Sequence, residues 1–129
     1  MSEKDFYRVP VTLERIPFSK NGKIVWANLF YVHHDMRIKS INDYLITKGL
    51  KPADTDDLKE FFASSENLLA EIDFHLILAT EQYLNDKENV IIPCISHVDR
   101  GKPKLSTIRT DTGDFLTGHC GVLVLAIQE

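Results

Sequence analysis

Cysteine is scarce: Cys94 and Cys120 are the two thiols in 129 residues. They could pair in an oxidising compartment, but they lack the CxxC-type spacing of a zinc site. No apolar run approaches the ~20 residues needed to cross a bilayer. The opening stretch MSEKDFYR is charged and has no apolar h-region, so no secretory signal is expected there. Free thiols and a cytoplasmic location are the corresponding expectations. No glycine-rich loop leads into a helix, so a nucleotide cradle has no signature. Internal repeats, low-complexity segments and domain linkers are absent. No cofactor and no metal are expected.

What is present points to a packed domain. Hydrophobic residues make up 43% and charged residues 26%, which suits one globular domain over 1–129. The net charge of −4 is unevenly spread. Residues 1–52 carry nine basic and five acidic side chains. Residues 53–88 carry two and ten, and residues 89–129 carry four of each. The middle of the chain is therefore acidic and the beginning basic.

Residues 6–17 alternate as a strand with one wet face, and Pro10 puts it at an edge or a bulge. Asn21-Gly22 is a two-residue hairpin signal, since both positions tolerate positive φ. Ile24 to His33 is apolar on both faces, which calls for an internal or doubly covered strand. Ser40 is placed to cap a short helix, Ile41 to Lys48, stopped by Gly49. Lys51-Pro52 reads as a turn. Asp54 or Thr55 caps a second helix, and Ser64-Ser65 breaks it from a third.

The third helix is the longest patterned segment, Glu66 to Glu88. Leu69, Ile72, Leu76, Ala79 and Tyr83 follow helical spacing. Residues 71–78 also alternate as a strand would, but the apolar face continues to Tyr83, which favours the helix. Val90–Val98 follows as a strand, with Pro93 suggesting an edge or bulge. Leu105–Thr110 and Val122–Gln128 are further strands, the last apolar on both faces and so central. The expected fold is α+β: a mostly antiparallel sheet of about five strands in the order ββ-ααα-βββ, helices packed on one face.

Candidate sites are weak. His33-His34-Asp35 carries metal-ligating and basic side chains, but strand neighbours point to opposite faces. His119-Cys120 sets an imidazole beside a thiol, the pair a thiolate nucleophile needs, with His119 or His33 as base. If the last three strands form a meander, His97 and His119 lie about 20 Å apart, at opposite ends. His75 borders the apolar stripe of the long helix. The tip Arg100-Gly101-Lys102-Pro103-Lys104 could hold a phosphate, yet it lacks interleaved aromatics, and direct nucleic-acid binding is not expected. Asp111-Thr112-Gly113 is explained by turn chemistry.

The function expected from these features is a non-enzymatic, self-associating interaction module, a dimer. Its acidic helical face, built on Asp54, Asp56, Asp57 and Glu60, would meet a basic protein partner. One version has it inhibit a nucleic-acid-binding protein. The alternatives are a small Cys120/His119 enzyme and a small-molecule binder whose sheet–helix pocket is lined by Trp26, Tyr31 and His75.

Overall fold

The computed structural model describes residues 7–8, 15–32, 35–81, 84–86, 89–97, 102–110, 115–116 and 121–129. The elements among them run β1 (Tyr7–Arg8), β2 (Ile16–Lys20), β3 (Lys23–Tyr31), β4 (Met36–Arg37) and α1 (Ile38–Thr47). Then come β5 (Lys51–Pro52), α2 (Thr55–Ser64), α3 (Glu66–Glu71), β6 (Leu76–Leu78) and β7 (Leu84–Asp86). The chain closes with β8 (Asn89–Ser96), β9 (Lys104–Arg109), β10 (Phe115–Leu116) and β11 (Val122–Gln128). The architecture is α+β, with nine strands in one mostly antiparallel sheet and β4 paired to β10 apart from it.

β2 and β3 join through Asn21 and Gly22, both at positive φ (51° and 78°), the left-handed pair a tight hairpin needs. β3 lies between β1/β2 and β11. β11 has β3 on one flank and, end to end on the other, β6 and β5. The pairing of β6 with β11 is parallel. β8 follows β6, and β9 forms the far edge.

The long helix does not form. α3 stops at Glu71, Ile72 turns extended, and Leu76–Leu78 enters the ladder between β11 and β8. The reason is burial on both faces. Leu78 joins the core under α1, while Ile77 joins the core under α2 and α3. A strand covered twice carries an unbroken apolar run, and its Leu and Ala residues then imitate a helical stripe.

The helices cover both faces of the sheet, not one. Ile38, Ile41 and Leu45 of α1 pack with Val122, Val124 and Ala126. Leu58, Phe61 and Leu69 of α2 and α3 pack with Leu123, Leu125 and Ile127. β11 supplies alternate residues to each core, so its doubly apolar sequence requires two covers.

Three smaller expectations also change. Lys51-Pro52 is a strand, not a turn, set against Ala126 and Ile127. α1 begins at Ile38 behind Arg37, so Ser40 lies inside the helix and does not cap it. Pro93 lies in β8, inside the sheet, where β6 gives out. The Ala79 amide donates to the Pro93 carbonyl (3.0 Å), but proline returns no N–H, and the ladder stops there.

β9 does not neighbour β11, so the last three strands are no meander. β6 and β8 lie between them, and the end of β8 and the start of β11 share one end of the sheet. There the His75 amide donates to the Gly121 carbonyl (2.8 Å), and the His97 amide donates to the His75 carbonyl (2.8 Å).

Gly121 has φ +94°, and a Cβ on it would lie 3.0 Å from His75 Cγ and 3.1 Å from the His75 nitrogen. Strain and backbone contact add, so Gly121→Ala is expected to cost ~1–3 kcal/mol. Thermal melting measures it, and an unchanged midpoint would refute this account.

Candidate functional site

The carboxylates of α2 divide into two pairs. Asp54 caps the helix: its Oδ1 accepts from the Asp57 amide (2.8 Å), and Asp57 Oδ2 accepts from the Asp54 amide (3.0 Å). Asp57 is fully buried, and Lys20 Nζ donates to its Oδ1 while Lys51 Nζ reaches its Oδ2 at 3.2 Å. Lys51 also lies 3.6 Å from Asp54 and 3.8 Å from Glu81. Asp56 and Glu60 alone of the four are exposed, with exposed Lys59 between them. The surface open to a basic partner on α2 thus reduces to two carboxylates and an ammonium.

Oxygens of Asp54, Asp57 and Glu81 lie within 4.8 Å of one another, a spacing a cation could use. Two lysine ammoniums already offset two of these three charges, so it reads as an internal ion network that fixes α2 to β2 and β5.

The ligand-lining candidates do not converge. Trp26 and Tyr31 are five residues apart on β3, roughly 16 Å at strand spacing, and alternation sends their side chains to opposite faces. The Arg15 guanidinium lies 5.2 Å from the Trp26 ring centroid. Tyr31 and His75 do meet at Gly121, whose amide donates to the Tyr31 hydroxyl (3.3 Å). His75 lies before β6, exposed, and not on a helix. His33, His119 and Cys120 lie outside the described residues. Cys94 is buried, and burial pushes its thiol up to about 11, which suits an inert core residue.

The most distinctive surface is β9. Every residue from Lys104 to Thr107 is exposed, as is Arg109, and Leu105 is 43% exposed. Its hydrogen-bonding directions follow from β8. The odd residues of β8 bond toward β6, as the Pro93 carbonyl and the His97 amide do. The even ones bond toward β9: the Thr110 amide donates to the Val90 carbonyl (2.9 Å). Directly opposed residues in an antiparallel pair either bond to each other or both turn away from each other. With Pro93 opposite Thr107 and Ile95 opposite Leu105, the main-chain groups of Leu105 and Thr107 point away from the sheet. No described strand pairs on that side.

Beside the start of β9 is a cleft of about 180 Å³, lined by Phe62, Glu66, Asn67, Leu69, Ala70, Lys102 and Pro103. From the sequence, Arg100 to Lys104 is a basic tip that could hold a phosphate but lacks interleaved aromatics, and Leu105–Thr110 is a strand with nothing strong to mark it as the edge. The signal present was the weak apolar content of KLSTIR beside strands apolar on both faces.

No helix among the described residues is long and apolar enough to cross a membrane. Comparison with protein-family models, with curated proteins and with solved structures finds no match.

Proposed function

We propose that this chain is a non-enzymatic interaction module that binds an extended segment of a partner along β9. The observation that carries the reading is an edge strand exposed on nearly all its residues, with outward amide and carbonyl groups at Leu105 and Thr107. An open edge is a template for strand addition: main-chain bonds supply affinity, and side-chain pockets supply choice. The cleft at Lys102 and Pro103 is suited to receive one apolar side chain at the end of such a segment. The α2 carboxylates contribute less to this reading, because Asp54 and Asp57 are engaged internally.

A displayed library of random twelve-residue peptides tests it. Selected peptides should bind the wild type, lose binding to Thr107→Pro, and slow hydrogen exchange at the Thr107 amide. Proline at 107 removes an outward donor that the β8–β9 ladder does not use, so the fold should survive it. Failure to enrich peptides, or enrichment indifferent to Thr107→Pro, would reject the module.

A further inference from the structure

We infer that the occupant of the β9 edge is an acidic extended segment of another protein; this rests on the strand-addition reading above. The first ground is charge. Lys102 and Lys104 are exposed at the start of the edge, and no ion pair to either exists among the described residues. Residues 102–109 contain three basic side chains and no acidic one, in a chain of net charge −4. Opposite charges facing each other across a strand pair stabilise it, and like charges destabilise it.

The second ground disfavours the nearest rival, a second copy of this chain. Outward residues must oppose outward residues, so two copies of β9 pair either about Thr107, with Leu105 opposite Arg109, or about Ser106, with Lys104 opposite Ile108. In both registers a cation faces an apolar side chain, and residues 102–110 of the other copy offer it no carboxylate. An acidic strand supplies one. Run antiparallel to β9, its C-terminal end arrives at Lys102, beside the apolar wall of Phe62, Leu69 and Ala70. Glu66 lies on that same wall, so a carboxylate is best placed along Lys104 and an apolar residue at the cleft.

The probes are two capped peptides, one alternating Glu with Val and one alternating Lys with Val, titrated against the full chain. The Glu peptide should bind at least tenfold more tightly than the Lys peptide, and more weakly as salt rises. The double variant Lys102→Glu/Lys104→Glu should reverse that preference without altering the melting midpoint. Thr107→Pro should abolish binding of both. Equal or tighter binding of the Lys peptide would overturn the inference, and so would binding of neither. In either case, library peptides that still depend on Thr107 would leave the module reading intact. Light scattering that shows a dimer dispersed by Thr107→Pro would also overturn it, since a second copy would then occupy the edge.

Discussion

Asp57→Asn is expected to lower stability by about 3 kcal/mol, because it leaves two ammoniums around a buried group with no charge. The substitution keeps the shape, and its one oxygen can still accept from the Asp54 amide, while its NH2 then faces Lys20, so the loss reports the charge together with one acceptor. The value belongs at the low end for a broken buried pair, since the Lys20 and Lys51 side chains are 18% and 36% exposed and can turn to water. For a chain of this size the melting midpoint should fall by roughly 10 °C. The pH dependence identifies the cause. Burial alone would raise the Asp57 carboxyl, but bonds from Lys20, from the Asp54 amide and from Lys51 outweigh it and hold it below its ordinary 3.8. A depressed folded-state value gives a contribution that is complete above 3.8 and lost as pH falls through the folded value. The lysines act with the opposite sign. Lys20 is raised chiefly by its bond to Asp57, so its contribution is complete below 10.5 and is lost as pH rises through the raised value. The gap between wild type and variant should therefore be flat across neutral pH and should narrow at both extremes. A midpoint shift of less than about 3 °C, or a gap that ignores acid, would show that the network is incidental.

That network also marks where the sequence stopped being readable. A cap at Asp54 or Thr55 was legible, because helix starts are signalled locally, and Asp54 fills that place with a capping box to Asp57. The burial of Asp57 was not, because one partner, Lys20, stands 37 residues away across the sheet. The Asn21-Gly22 hairpin, the break at Ser65, the stop at Gly49 and the double-faced β11 were all legible, each being a local signal or a simple period. The larger failures share one origin. β6 inserts between β11 and β8; the alternation of residues 71–78 hints at a strand, but nothing local gives its place in the sheet. That insertion turns an expected helix into a strand, sets Pro93 inside the sheet, and brings His75 and His97 to one end. It also leaves β9 with a single described neighbour, β8. The edge that carries the functional reading was thus invisible until the strand order was known.

Phe61→Ala is expected to cost ~3–5 kcal/mol, the range for emptying a large aromatic site in a packed core. Phe61 has no solvent exposure and meets Phe18 of β2 edge to face, with ring centroids 5.7 Å apart at 76°. It fastens α2 onto the β2–β3 side of the sheet, among Val25, Ala27 and Leu29. The urea midpoint should drop while the slope stays fixed, because the variant exposes much the same surface on unfolding. A double-mutant cycle with Phe18→Ala should return a coupling of about 0.5–1.5 kcal/mol for the ring pair. Phe62 supplies the contrast: it is half-buried on the cleft wall, and Phe62→Ala should cost only about 1 kcal/mol. The two neighbours then separate folding from recognition. Phe62→Ala should weaken an edge-bound peptide with little loss of stability. Phe61→Ala should do the reverse so long as the chain remains folded. A Phe61→Ala loss under about 1 kcal/mol would mean that α2 is not anchored through this ring, and that the cleft wall it supports is less fixed than the binding argument requires.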